Sequence, residues 1–216
     1  MHFKISHQEK YSQGELILRT LFGWIYIAIP HMFLMYFLAI GLMVVRFITF
    51  WAILFTGKWP KGMFDYQVKF QRYQLRVNAR LLNLADGYPA FGLNGTDTNT
   101  DFNIAYPEEV SRGRLIVRTL FGAFLIIPHI FILYFRFIGM FIVNFLAFFA
   151  ILFTGKYPKG MFNFVVGTIR WATRVGCYLM FYTDDYPPFT GKELPEESGQ
   201  EGSMKDSDPN LLDDTI

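Results

Sequence analysis

Residues 52–64 read AILFTGKWPKGMF, and residues 150–162 read AILFTGKYPKGMF. Only Trp59 and Tyr157 differ, so one phrase occurs twice at an offset of 98. Self-similarity of this kind marks a duplicated structural unit. The same offset pairs Pro30-His31 with Pro128-His129, Tyr36 with Tyr134, Gly41 with Gly139, Arg72 with Arg170, Arg76 with Arg174, and Tyr88-Pro89 with Tyr186-Pro187. Upstream, RTLFG at 19–23 recurs at 118–122 with an offset of 99, so the second copy lacks one residue before its Pro-His. Two units follow, 15–91 and 114–189, with an N-terminal segment at 1–14. The polar, turn-rich stretch 92–113 reads as a surface linker, and 190–216 as a tail.

Each phrase closes a long apolar run. Residues 21–55 hold one charged residue, Arg46, and residues 120–153 hold one, Arg136. Either run exceeds the ~20 residues that span a bilayer core. The whole chain is 52% hydrophobic and 19% aromatic but only 18% charged, which is too apolar for a soluble domain of this size. The polar N-terminus has no short apolar stretch ending in a small-residue cleavage site, so the first hydrophobic segment is expected to be retained. From Gly191 onward eight acids face two lysines, a net of −6, which leaves +8 on the rest of a chain of net +2. A basic membrane body with a disordered acidic tail is expected, the tail being suited to a soluble partner.

The run from 16 to 55 would be ~60 Å long as one helix, twice the hydrocarbon thickness. It either folds back as a hairpin or bends at Pro30 from a surface helix into one long span. Basic residues flank both runs at both ends: Lys10 and Arg19, Lys58 and Lys61, Arg112, Arg114 and Arg118, Lys156 and Lys159. The positive-inside rule puts all of these ends, and the termini, on the cytoplasmic side. That favours hairpins with turns near 36–41 and 134–139. The expected fold is therefore an all-α membrane protein, a tandem duplication in which each unit is a Pro-kinked helical hairpin followed by an amphipathic or interfacial helix.

In that last helix Lys69, Arg72, Arg76 and Arg80 fall within one ~80° sector, a stripe suited to anionic lipid. The second copy keeps Arg170 and Arg174. In the TGK(W/Y)PKG loops Lys58, Trp59, Lys61, Lys156, Tyr157 and Lys159 are expected to anchor at headgroup level, aromatics among the carbonyls and ammonium groups on phosphates.

Residues that carry chemistry are few. His31 and His129 follow prolines at equivalent positions and, with Arg46 and Arg136, form a candidate intramembrane polar site. Facing imidazoles would suit haem, a quinone or a proton relay, whereas the structural reading has each ring bonding either a backbone group freed by its proline or a side chain in a neighbouring helix. Gly-Lys in the loops is not a phosphate-binding loop, because the glycine needed five residues earlier is Ala52 or Ala150. The lone Cys177 makes no intrachain disulfide or thiolate cluster. Neither a nucleophile triad nor paired catalytic carboxylates appear, and neither catalysis, metal nor nucleic acid is expected.

The Ile-Pro-His step, the Ala-Ile-Leu-Phe-Thr-Gly-Lys-aromatic-Pro-Lys-Gly segment, the later Arg170-Trp171 and the closing Asp-x-Tyr-Pro-x-Phe resemble a bacterial membrane family known as a domain of unknown function, DUF 4389. The first copy departs at Tyr73, opposite Trp171, and is more polar over 65–80. The resemblance implies residence in the bacterial inner membrane and brings no known reaction. The expected function is that of a non-enzymatic accessory subunit or lipid-interacting membrane organiser, its partners anionic lipids and other membrane-complex subunits. The alternative is a redox or transport subunit built on His31 and His129.

Overall fold

The computed structural model describes residues 1–195 and 197. In chain order it contains β1 (His2–Ile5), α1 (Gln13–Gly23), a π-helical turn (Trp24–Ala28), α2 (Ile29–Thr56), α3 (Lys61–Leu81), β2 (Thr100–Asn103), α4 (Arg112–Leu125), α5 (Ile127–Thr154) and α6 (Lys159–Leu179). The protein is thus mostly helical, as expected, with two short strands that the sequence reading lacked.

Each unit starts on a serine cap. The Ser12 hydroxyl accepts from the Glu15 amide and the Ser111 hydroxyl from the Arg114 amide, satisfying a donor at a helix start that has no partner within the helix. α1 then runs into α2 without leaving helical geometry, through a π turn that ends beside Pro30. This turn is where the first copy carries its extra residue. A π-bulge is how a helix absorbs one inserted residue, and the second copy, one residue shorter, has only a break at Ile126.

The expected hairpin turns at 36–41 and 134–139 do not exist, since both stretches lie inside α2 and α5. Their glycines serve close packing instead. A Cβ on Gly41 would sit 2.9 Å from the Tyr66 hydroxyl, and one on Gly139 would sit 3.2 Å from the Phe164 ring. The chain reverses later, at the TGK(W/Y)PKG loops. Gly57 and Gly155 end α2 and α5 in the left-handed region (φ 74° and 67°), and Pro60 and Pro158 begin the helices that run back. The hairpins are therefore α2–α3 and α5–α6.

The two units embrace through segments that sequence reading assigned to an N-terminal segment and a linker. β1 and β2 pair antiparallel with Phe3 opposite Phe102 at the centre of the register. The Tyr11 amide donates to the Gly155 carbonyl and the Val110 amide to the Gly57 carbonyl, each at 2.8 Å. His7 bonds the Tyr157 carbonyl, and the Tyr106 hydroxyl bonds that of Trp59. Each contact has its mate at an offset of 98 or 99, the signature of a pseudo-two-fold axis through the strand pair. The start of one long helix is thereby tied to the end of the other. Phe3, Tyr11, Trp59, Phe102 and Tyr157 are all buried in one core shared by the two units, each contributing on the order of 1.5–3 kcal/mol. Residues 92–113, expected as a surface linker, supply Phe102 and Val110 to that core.

The long helices keep the opposite character. Phe33, Met43 and Phe55 on α2, and Phe141 and Phe153 on α5, are among many large apolar side chains left uncovered. Both long helices are long and apolar enough to cross a bilayer, and little of their most apolar stretches is covered by the rest of the chain. Such surfaces support membrane association. Of the expected disordered tail, residues 190–195 and 197 are described and pack on α6; its remainder lies outside the described residues.

Candidate functional site

Pro30 and Pro128, by starting α2 and α5, point His31 and His129 inward, where both are fully buried. Each imidazole is then enclosed by its own unit. His31 Nδ1 lies 2.7 Å from the Tyr73 hydroxyl, and its ring meets Tyr88 and Phe91 at 5.2 and 4.4 Å. His129 Nδ1 accepts from the Trp171 indole N–H at 3.0 Å, with Tyr186 at 5.0 Å and Phe189 stacked at 3.9 Å.

The second cage fixes the tautomer. An indole nitrogen only donates, so His129 Nδ1 must be the acceptor and its proton sits on Nε2. The Tyr73 hydroxyl can play the same donor role for His31, which explains why tyrosine and tryptophan interchange there. Both Nε2 atoms are buried and have no partner among the described residues. No hydrogen bond or ring contact joins the two histidines, each ring being packed against aromatic side chains of its own unit. Of the two partners the structural reading allowed, each ring takes the side chain of a neighbouring helix, Tyr73 of α3 or Trp171 of α6, and not a carbonyl loosened by its proline. The Tyr88 hydroxyl donates to the Tyr26 carbonyl, four residues before Pro30, and the Tyr186 hydroxyl to the Leu125 carbonyl.

Two residues before Tyr88 and Tyr186, a carboxylate locks the helix start. Asp86 accepts from the Ser12 amide at 2.7 Å and from Arg19 at 2.8 Å, and Arg19 also reaches Asn83 and Glu15. Asp184 likewise takes the Ser111 amide and Arg118, which also donates to the Tyr178 and Thr183 carbonyls. The side chains of Arg19 and Arg118 are 2% and 1% exposed. At that burial an unpaired guanidinium would be very costly, so these carboxylates are structural necessities.

The expected lipid-facing stripe is turned inward for most of its length. Arg72 donates to the Phe102 carbonyl, Arg76 to that of Gly92, and Arg80 makes a two-pronged pair with Asp97 at 2.5 and 2.8 Å. Burial alone would raise the Asp97 carboxyl, but hydrogen bonds from Arg80, Thr100 and the Asn99 amide override it and hold it below the usual aspartate range. Lys69 is the exception, exposed and bonded to Asn94. In the second unit Arg174 pairs with Glu197 and donates to the Thr190 and Lys192 carbonyls, while Arg170 donates to the Gly191 carbonyl. Each stripe thus clamps the strap that follows its own unit, because the strap's carbonyls and acids offer shorter, drier partners than headgroups would.

The loop aromatics are corrected in the same way. Trp59 and Tyr157 are buried, Trp59 donating to the Phe181 carbonyl, whereas Lys58, Lys61, Lys156 and Lys159 remain on the surface. Arg46 is exposed on α2 against the Met180 sulfur. Arg136 is half-buried and bonded to Thr168. Among the described residues no group of histidines, cysteines and acids is disposed to hold a metal.

The profile of a family described as a domain of unknown function, DUF4389, matches residues 16–92 and 117–191. The chain belongs to this family. It carries two DUF4389 units in tandem, and the fragments that mark them, Ile-Pro-His, Arg-(Tyr/Trp) and Asp-x-Tyr-Pro-x-Phe, converge on one caged histidine per unit. No curated protein and no solved structure gives a significant match. Sequence reading gave the histidines as a candidate site but treated Tyr73, Trp171 and the Asp-x-Tyr-Pro-x-Phe residues only as marks of the repeat and the family, and it did not foresee the Arg–Asp locks. Their recurrence at the repeat offset was the available signal.

Proposed function

We propose that this protein is a non-enzymatic, lipid-interacting organiser of the membrane surface, whose long helices lie along one leaflet rather than across the bilayer. The observation that carries this is the companionship of α2 and α3. Met63 meets Thr49, Tyr66 bonds the Leu38 carbonyl, Tyr73 bonds His31 and Leu81 lies against Gly23, so α3 runs antiparallel to the long helix over its whole length. If the long helix crossed the bilayer, α3 would cross with it. Exposed Lys69 would then enter hydrocarbon near mid-depth, at about 2.5–3.5 kcal/mol on translocon scales.

Length argues the same way. Exposed apolar side chains continue along residues 17–55 and 116–153, about 57 Å of helix at 1.5 Å per residue against a core of about 30 Å. A pseudo-two-fold axis along the membrane normal places both units on the same side. Lys58, Lys61, Lys156 and Lys159 are then free to meet anionic headgroups. Two long apolar helices inserted in one leaflet expand it relative to the other, which bends or orders the bilayer. The bacterial inner membrane, with the loops and termini facing the cytoplasm, is the setting this reading favours.

Depth-dependent quenching tests it with a single tryptophan at position 24, 37 or 51, the last two positions of the set being Phe37→Trp and the native Trp51. Equal, shallow depths are expected at all three. A clear maximum in depth at position 37 would establish a crossing helix, as would labelling of cysteines at 58 and 156 from opposite faces.

A further inference from the structure

Leu38 of α2 has as its counterpart Arg136 of α5, an arginine in a helix that contains no acid. Its guanidinium is held in place but not neutralised. Nε donates to the Thr168 hydroxyl at 3.2 Å, Nη2 reaches the Phe164 carbonyl only at 3.5 Å, and the group lies 4.7 Å over the Phe164 ring. No carboxylate among the described residues forms an ion pair with it.

Arg170 lines the same cleft. It donates Nη1 to the Gly191 carbonyl at 3.1 Å and faces Glu193 at 3.8 Å, while its Nε is buried without a partner. The cleft, about 730 Å³, lies between Arg136, α6 and the strap 189–193, and Lys192 adds a third cation. The single acid there, Glu193, has half of its side chain in solvent. Gly167 keeps the floor open, since a Cβ on it would press within 3.0 Å of the Gly191 carbonyl and 3.6 Å of Arg136 Nη2. Three cations answered by one exposed carboxylate call for an anion, and guanidinium groups are suited to phosphate oxygens.

We propose that this cleft binds the headgroup phosphate of an anionic phospholipid, with Arg136 and Arg170 as its ligands. Lipid is favoured over a soluble anion by what borders the site. Phe164, Trp171 and Phe189 form apolar walls, and the adjoining turn of α5 exposes Ile132 and Phe135, where acyl chains would lie. The proposal rests on the membrane-surface reading above and adds a defined site to it.

The test uses the full-length protein with vesicles of phosphatidylcholine, with and without phosphatidylglycerol. Arg136→Leu installs the residue that the first unit already has there, and Arg170→Gln keeps a hydrogen-bonding end. Each is expected to weaken the phosphatidylglycerol-dependent part of binding about fivefold, while flotation with phosphatidylcholine vesicles and the circular dichroism spectrum stay unchanged. Lys4→Gln, at an exposed lysine outside both the cleft and the TGK(W/Y)PKG loops, is expected to leave that part of binding unchanged. Wild-type phosphatidylglycerol dependence in both arginine variants would overturn the site while leaving the membrane-surface reading standing. Failure of the wild-type protein to float with either vesicle would overturn that reading itself. Inorganic phosphate is expected not to compete at millimolar concentration; full competition would assign the cleft to a soluble anion and overturn the lipid proposal.

Discussion

Replacing Asp86 by alanine removes one carboxylate and strands two donors. The Ser12 amide, bonded at 2.7 Å, loses its acceptor, and Arg19 loses its closest one, at 2.8 Å. Breaking a buried pair from one side costs about 3–5 kcal/mol when nothing replaces the lost partner. Here Glu15 and Asn83 remain within reach of Arg19, and Asp86 itself is 16% exposed, so about 2–3 kcal/mol is expected. For a chain of this size that corresponds to a fall of roughly 5–10 °C in Tm. Near-ultraviolet circular dichroism of the detergent-solubilised protein reads the melt. The decisive comparison is with Arg19→Met/Asp86→Ala, which removes the buried charge together with its partner. The double variant is expected to be more stable than Asp86→Ala alone, because the main cost is an unanswered guanidinium rather than a missing attraction. If Asp86→Ala melts within a degree of wild type, or the double variant loses the sum of both singles, the lock is not what holds the helix start.

At the second cage, Trp171→Tyr retains a donor for His129 Nδ1 and is expected to be mild, whereas Trp171→Phe leaves that nitrogen unpaired and is expected to cost about 1–3 kcal/mol in the same melt; equal stabilities would contradict the tautomer assignment. Gly139→Leu must displace the Phe164 ring, and a loss of about 1–3 kcal/mol is expected, with no loss if α5 and α6 separate freely there. The depressed Asp97 carboxyl stabilises the fold above the ordinary aspartate range and loses that contribution as pH falls through its lowered folded value. Stability measured from neutral to acid pH is therefore expected to fall less steeply in Asp97→Asn than in wild type, and parallel curves would count against the Arg80 pair. The purified protein is expected to show no haem absorbance, and a Soret band lost in both His31→Gln and His129→Gln would restore the redox reading.

What the sequence determined by itself was the duplication, the family and the presence of two helices long and apolar enough to cross a bilayer, because these reside in composition and in the repetition of local phrases. It also located the insertion: the change of offset from 99 to 98 before Pro-His is the residue absorbed by the π turn at Trp24–Ala28. It misplaced the reversal, since Gly41 and Gly139 look like turn residues in one dimension. Only the approach of Tyr66 and Phe164 reveals that they are contact points. Nor did local pattern settle which way the arginines of α3 and α6 face. A basic stripe on an amphipathic helix has the same periodicity whether it meets lipid phosphates or the carbonyls of a strap, and the straps come from residues 92–103 and from 190–195 and 197, which carry no helical pattern of their own. The caged histidines show the same division. The residues were legible one by one, but Nδ1 finds its partner 42 positions away, and which of several polar and aromatic groups closes around a buried ring is decided by how α3 and α6 dock on the long helices.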